Sequence, residues 1–501
     1  MSFAWPWRDE LAGEAATARL AEDVAACLRR GDAVALRGEL GAGKTAFARA
    51  VIRALANDTA VEVPSPTYTL VQTYPTSRFA VAHYDLYRLS AAGQVAELGL
   101  ADALADGVVL IEWPEIASAL LPASTLTVQL DGADESRTVT LSGGADWAAR
   151  IERSFAIRAM LDGAGWEGAE RRYLQGDASA RTYERVRRGA ITAVVMNSPA
   201  RADGPPVRAG RPYSRIAHLA EDVRPFVAVA EALRANGFSA PEIFAADMAG
   251  GLLLLEDLGS EGIVESGVPK STRYVAAIEC LADLHRMARP NRLPFADGTS
   301  YTLPDFDDDA LGIEVSLVLD WYAPHVLGQR LAVAAEESFY AAWSGPFRTL
   351  LAGERNWVLR DYHSPNLLWL AGRRGPRRVG LLDFQDAVIG PTAYDVASLA
   401  QDARVTVSEA LETDLVTAYI AARRAQNPAF SETNFRAAYA IAAAQRATKI
   451  LGIFARLANR DGKPGYLAHI PRVMAYLRRA LRHPVLSPVA LWYEENLPLA
   501  G

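Results

Sequence analysis

Residues 33–45 read AVALRGELGAGKT, and no other stretch limits the possible folds as much. AVALRG has the character of a short strand buried on both faces. The eight residues GELGAGKT keep the spacing GxxxxGK[ST], and the segment after them is helical in pattern. Strand, glycine loop and helix in that order build a phosphate cradle, in which the backbone of Gly38, Glu39, Leu40, Gly41, Ala42 and Gly43 turns its amides toward the ligand. In such a loop Lys44 reaches the β- and γ-phosphates and the Thr45 hydroxyl binds magnesium. The implied ligands are ATP and Mg2+.

The flanking pattern agrees with an α/β sheet. From Glu10 to Arg30, Leu20, Val24, Cys27 and Leu28 recur at helical spacing up to the stop at Gly31 and Asp32. Residues 79–83 and VVLIEW (108–113) read as two more buried strands, and LTVQL (126–130) with SRTVTLS (136–142) reads as a closing hairpin. Asp85 and Glu112 then fall at the carboxyl edge of the sheet, where open α/β sheets bind ligands. A P-loop needs one carboxylate on the metal side and another group to orient the attacking water. Each acid taken singly reads equally well as a surface residue or a helix cap.

A chain of 501 residues exceeds what one core usually organises, so two or three domains are expected. Gly143-Gly144 marks a break, and a helical pattern over 147–161 leads into the next unit, which places a P-loop NTPase domain at 1–150. Beyond it, RTYERVRR (181–188), ITAVVMNS (191–198) and LLLLEDLG (252–259) read as strands, and the remainder is mostly helical, with 199–212 a loop rich in Pro, Gly and Arg. The expectation is a sheet-rich lobe at 151–258 and a helical lobe at 259–501, an α+β bilobal, protein-kinase-like domain. Net charge is −7, which offers no general attraction for nucleic acid or anionic lipid, so any role with tRNA is indirect. The only cysteines, Cys27 and Cys280, exclude a disulfide framework and a cysteine zinc site. Neither a signal peptide nor a membrane span is legible, and a cytoplasmic protein is expected.

WVLRDYHSPNLLWL (357–370) places an Asp five residues before an Asn, and GLLDFQDA (380–387) adds a second Asp after an apolar strand. Phosphoryl transfer to a hydroxyl needs this set: Asp361 to position the hydroxyl and accept its proton, Asn366 and Asp383 to bind magnesium. His363 either braces this loop or is simply packed in it, and Asp395 in GPTAYDVASL braces it from a helix start. LQGDASARTYERV (174–186) stands where a phosphate-covering loop belongs, with Gly176 and Ser179 as donors, and Glu256 lies in the segment whose backbone would recognise adenine. The lysine usual on the third kinase strand is missing. Met196 and Asn197 occupy its place, Lys270 lies after the hinge, and Arg185, Arg187 or Arg188 are the substitutes at hand.

VPSPTYTLVQTY, HYDLYRL and LIEWPE, following GELGAGKT in that order, resemble TsaE, the ATPase subunit of bacterial tRNA threonylcarbamoyladenosine synthesis. The resemblance implies an ATPase that works with TsaB and TsaD to support modification of adenosine 37. It implies roles for Lys44, Thr45, Glu112 on the metal side, Asp85 as a catalytic acid, and Trp113 beside the nucleotide. Ser65, Thr67 and Thr69 either line a switch-like loop or satisfy local backbone, and Tyr87 and Arg88 serve either a partner or the site. Residues 155–490 resemble the aminoglycoside phosphotransferase family and, within it, the AmgK cell-wall sugar kinases, through LQGDASARTY, VVMNSP, LVLDWYAPHVLG and LRDYHSPN. That implies phosphorylation of N-acetylmuramate and N-acetylglucosamine at the anomeric hydroxyl. Trp321 and Tyr322 either stack on a sugar or pack in a core, with Glu314 or Asp320 as hydroxyl acceptors. Two other readings stand: a regulatory pseudokinase attached to the ATPase, or a kinase for an aminoglycoside or other small alcohol, toward which the acidic run Asp305, Asp307, Asp308 and Asp309 would draw a cation unless it is a solvated helix start.

Overall fold

The computed structural model describes residues 3–132, 136–174, 181–286 and 289–499. They form two compact units: residues 1–198 with 244–257, and residues 199–243 with 258–501.

The first unit opens with strand β1 (Trp7–Ala12) and helix α1 (Gly13–Cys27), followed by β2 (Ala33–Arg37), α2 (Lys44–Ala56), β3 (Val71–Tyr74) and β4 (Ala80–Asp85). Short helices α3 (Ala92–Glu97) and α4 (Leu100–Asp106) lead to β5 (Gly107–Glu112), and β6 (Leu126–Asp131) and β7 (Ser136–Ser142) form the hairpin. The seven strands lie in the order β1-β7-β6-β2-β5-β4-β3. β2 runs parallel to β5 and β6, and β4 parallel to β5. The apolar runs of β2 and β5 are covered on both faces, as their composition required. One sequence expectation changes: Glu10, Leu11 and Ala12 extend β1 rather than the helix, because β1 pairs with β7 from Trp7↔Leu141 to Ala12↔Ser136.

Helix α5 (Ala145–Gly163) belongs to two cores at once. Trp147 and Ile151 pack into the core of the seven-stranded sheet. Ile157 and Leu161 pack against Val186, Ala193, Val195, Leu252 and Leu254 of the second sheet. That sheet has five strands in the order Ile243–Asp247, Leu252–Glu256, β10 (Ile191–Asn197), β9 (Thr182–Arg188), β8 (Glu170–Leu174), the last four of them paired antiparallel. Between α1, α5 and β8 lies a buried ionic cluster. Asp23 Oδ1 accepts from Arg158 Nη2 at 2.9 Å and from Arg171 Nη1 at 2.6 Å, and Arg171 also donates to both oxygens of Glu184, at 2.6 and 2.9 Å.

The second unit is mainly helical, built around the 28-residue helix Glu432–Asn459. The segment 199–212, read as plain loop, contains a short ribbon, Pro206–Arg208 paired with Arg211–Pro212. The acidic run begins helix Asp308–Leu317: Asp307 caps it by accepting from Ala310 N–H, while Asp305 and Asp309 pair with Arg355 and Arg211. These contacts are those of a helix start.

His285 is buried here, 2.7 Å from the Tyr419 hydroxyl and 3.1 Å from the Trp357 carbonyl, and burial pushes its pKa down to about 3. An unfolded histidine titrates near 6.5, so below that pH the unfolded chain gains a proton that the folded chain refuses until about pH 3. Stability is therefore lost on acidification. Between pH 7 and 5 the wild type should lose ~2 kcal/mol more unfolding free energy than His285→Gln, read by urea titration at each pH. Equal losses would contradict a neutral buried His285.

Candidate active sites

The strand register assembles the first site. Pairing β4 with β5 sets Asp85 beside Glu112, and pairing β2 with β5 sets Leu36 beside Glu112, two residues before Gly38 opens the glycine loop. Gly38 has φ 142°, and a Cβ there would lie 2.3 Å from the Leu130 carbonyl oxygen, so only glycine fits. Lys44 Nζ donates to the carbonyls of Gly38 and Glu39, both at 2.8 Å, and lies 3.8 Å from the centre of the Trp113 ring. Burial draws the pKa of this ammonium down, opposed by Glu112 and Asp85. Thr45 Oγ1 donates to Glu112 Oε2 at 3.0 Å, and His83 Nε2 stands 3.0 Å from Glu112 Oε1.

Asp85 is held as firmly. Its Oδ2 accepts from Ser65 Oγ at 2.8 Å and Thr67 Oγ1 at 2.7 Å, and its Oδ1 accepts the Tyr87 N–H at 3.1 Å. Ser65 and Thr67 therefore tie the loop after α2 to the acid, whereas Thr69 is exposed. The Tyr87 ring lies 5.0 Å from Trp113, and Arg88 lies 4.1 Å from the ring of Tyr68, which is 82% exposed. His83 was not anticipated as a site residue. Period two along β4 was the available signal, since it places His83 and Asp85 on one face.

In the second unit, Asp361, Asn366 and Asp383 come together. Asn366 Nδ2 donates to the Asp361 carbonyl at 3.0 Å and lies 3.5 Å from Asp383 Oδ2, while Gln385 Nε2 donates to Asp383 Oδ1 at 2.9 Å. Arg360 and Asp383 have positive φ, 66° and 55°, a costly conformation for side-chain-bearing residues that the surroundings hold in place. Asp395 braces the first of them by accepting the N–H groups of Leu359 at 2.6 Å and Arg360 at 2.9 Å, and its burial pushes its pKa up to about 7. Burial would raise the Asp361 carboxyl too, but His363, Lys449, Arg446 and Arg360 outweigh it and hold it below the usual range. Among the described residues, His363 Nδ1 is buried without a hydrogen-bond partner.

Glu314 is fully buried and faces this cationic cluster. It accepts from Arg360, from Lys449 at 2.6 Å and from Gln445 at 2.8 Å, and despite the burial these partners draw its pKa down to about 2. Both its oxygens are thereby engaged within the protein. Asp320 pairs with Arg330 at 2.8 Å, Trp321 lies 5.9 Å from Arg460, and the buried Tyr322 hydroxyl donates to Met474 Sδ at 3.3 Å. The packed reading of Tyr322 fits that contact.

Of the remaining expected residues, Glu256, Met196, Asn197, Arg185, Arg187 and Arg188 lie on the five-stranded sheet. Glu256 ends strand Leu252–Glu256, and Gly176 and Ser179 lie outside the described residues. Met196 is 1% exposed, and Asn197 Oδ1 accepts from Arg153 Nε at 2.9 Å and Nη2 at 2.6 Å. Arg185 pairs with Asp257 at 2.8 Å, Arg187 with Glu170 at 2.8 Å, and Arg188 lies 5.4 Å from the Trp166 ring. Lys270 pairs with Glu265. Each cation considered as a substitute for the missing lysine thus has a partner.

The donors present fit ATP and magnesium. A glycine loop with its lysine folded onto it suits phosphate, and the Thr45 hydroxyl with Glu112, or Asp383 with the Asn366 amide oxygen, are hard oxygen donors. Among the described residues no group of three or more His, Cys, Asp or Glu forms a metal cage, and magnesium ordinarily needs none, since it uses one or two carboxylates with phosphate and water. No helix among the described residues is long and apolar enough to cross a membrane.

Residues 11–139 match the family model of the threonylcarbamoyl adenosine biosynthesis protein TsaE, and residues 170–430 match that of the phosphotransferase enzyme family. The N-acetylmuramate/N-acetylglucosamine kinase of Caulobacter vibrioides is 38% identical over 363 residues, covering 70% of this chain and 98% of the relative. The protein of the same name from Pseudomonas aeruginosa is 34% identical over 322 residues, 62% of this chain and 84% of the relative. The tRNA threonylcarbamoyladenosine biosynthesis protein TsaE of Rickettsia felis is 42% identical over 127 residues, 25% of this chain and 74% of the relative.

Proposed function

The chain belongs to the phosphotransferase enzyme family and carries a TsaE domain ahead of it, and from that premise we propose two reactions. The C-terminal part transfers the γ-phosphoryl group of ATP to the anomeric hydroxyl of N-acetylmuramate or N-acetylglucosamine. The N-terminal part hydrolyses ATP in the cytoplasm, with TsaB and TsaD as partners, in support of threonylcarbamoylation of adenosine 37; contact with tRNA is indirect. The observation that carries the sugar assignment is the match over 98% of the Caulobacter kinase, and the phosphotransferase match over residues 170–430 takes in Asp361, Asn366 and Asp383.

In the kinase, Asp361 accepts the hydroxyl proton. The cations around it keep it ionised, and Asp395 holds the backbone that aims it. Asp383 and the Asn366 oxygen hold magnesium, which when bound neutralises charge on the phosphates. In the ATPase, the loop amides and Lys44 hold the phosphates, Thr45 and Glu112 hold the metal, and Asp85 orients the attacking water. His83 fixes Glu112, while Ser65 and Thr67 fix Asp85. Trp113 borders the nucleotide beside Lys44, and Glu256, Gly176 and Ser179 belong to the kinase nucleotide site.

Purified full-length protein should transfer label from [γ-32P]ATP to N-acetylmuramate and N-acetylglucosamine, with kanamycin and choline as competing acceptors. Transfer to kanamycin or choline alone would move the assignment to another alcohol. Transfer to none would favour the pseudokinase reading, consistent with buried Met196 at the lysine position. For the first part, the full chain should restore threonylcarbamoyladenosine in cells lacking TsaE, and the Lys44→Ala chain should not.

A further inference from the structure

The β6–β7 hairpin flanks the glycine loop on the side away from β5. From β7, the guanidinium of Arg137 lies against Gly43, so that a Cβ added there would sit 3.2 Å from Nη1, 3.3 Å from Cζ and 3.4 Å from Nε. Gly43 is the N-cap of α2, with φ 100° and ψ 13°, and the N–H groups that follow it are unsatisfied by the helix itself. Among the described residues, Arg137 Nε is buried with no hydrogen-bond partner and Arg137 forms no ion pair. A guanidinium keeps its charge at any working pH and presents five donors in a plane. A buried donor left unmade is unfavourable, and the ligand expected at Gly43 is rich in anionic oxygen.

We propose that Arg137 is a phosphate-binding residue of the P-loop site, a second cation that acts with Lys44 from the opposite wall of the cradle. The proposal rests on the ATPase reading. Arg137 stands in SRTVTLS, outside the glycine loop and outside the strands that carry Asp85 and Glu112. Phosphate oxygens are the strongest partners for such a fork, which takes them pairwise where an ammonium takes them as a point charge.

The test is calorimetric titration of the full chain with MgADP. The component of binding that Lys44→Ala removes is that of the P-loop. In that component Arg137→Met should weaken ADP about tenfold or more, Arg137→Lys should recover part of the loss, and the difference from wild type should shrink between 50 mM and 500 mM salt as screening rises. Melting of each variant without nucleotide should be unchanged. Wild-type affinity in Arg137→Met overturns the proposal, as does a salt-independent loss that Arg137→Lys shares in full, which is the signature of a prop for Gly43. Should Arg137→Met fail to fold, Arg137→Gln is read in the same way. If Lys44→Ala removes no component, the P-loop reading itself falls.

Discussion

Asp361→Asn is expected to lower phosphoryl transfer to the sugar by about 10²–10⁴-fold while ATP hydrolysis at the P-loop proceeds at its wild-type rate. Lys44→Ala is expected to do the reverse. The first effect follows from the loss of the proton acceptor around which Asn366, Asp383 and the Asp395-braced backbone are arranged. Asparagine keeps the shape and the side-chain volume, so KM for the sugar should change far less than kcat. The second follows from the position of Lys44, whose ammonium sits on the Gly38 and Glu39 carbonyls where the terminal phosphates belong.

The two measurements are transfer of labelled phosphate to sugar and release of inorganic phosphate in the presence of TsaB and TsaD. Each variant silencing its own reaction alone would establish two independent catalytic centres in one chain. Loss of both reactions in either variant, with an unchanged melting curve, would sink the idea of independence. Retention of sugar phosphorylation in Asp361→Asn would sink the assignment of the base.

The second large effect is structural. Asp23→Ala should destabilise the first unit by ~3–5 kcal/mol, because it removes the anion from two buried arginines. Arg158 and Arg171 are 7% and 5% exposed; Arg171 keeps a second, buried carboxylate, Glu184, while Arg158 keeps the half-buried Glu22 at 3.3 Å. Arg171 is held charged by Glu184 and Asp23 against the burial that would lower its pKa. Because α5 contributes Trp147 and Ile151 to one core and Ile157 and Leu161 to the other, the loss should appear in both sheets. Hydrogen exchange in intact protein reads this directly: amides of β2 and β5 and amides of β9 and β10 should lose protection together. Loss confined to one sheet, or a change within ~0.5 kcal/mol, would show that Asp23 does not join them.

Much of both sites was legible because their chemistry is local in sequence. The glycine loop lies between one strand and the helix that follows it, and Asp361 and Asn366 lie within one turn-rich loop. Asp85 and Glu112 were legible for another reason: each ends an apolar strand, and parallel strands align their carboxyl ends. Arg137, His83 and Lys449 were not read as site residues. Arg137 reaches Gly43 only because the β6–β7 hairpin folds along the loop, and Lys449 reaches Glu314 across 135 residues of chain. Glu314 shows the converse. As an acid near a pair of aromatics it read equally well as a sugar ligand, and three internal donors occupy it instead.

The amino-acid sequence by itself determined the two chemistries. Glycine spacing with a lysine–threonine pair suits holding phosphate and magnesium, and an Asp–Asn–Asp series in order beside apolar runs suits one proton acceptor and two magnesium ligands, each presented largely by local backbone. Only the tertiary structure decided that the ATPase sheet and the five-stranded sheet share a helix and a buried ionic cluster. Asp23, Arg158, Arg171 and Glu184 are separately ordinary charges in the sequence, and what makes them a joint is burial, which depends on how α1 packs against α5, β8 and β9.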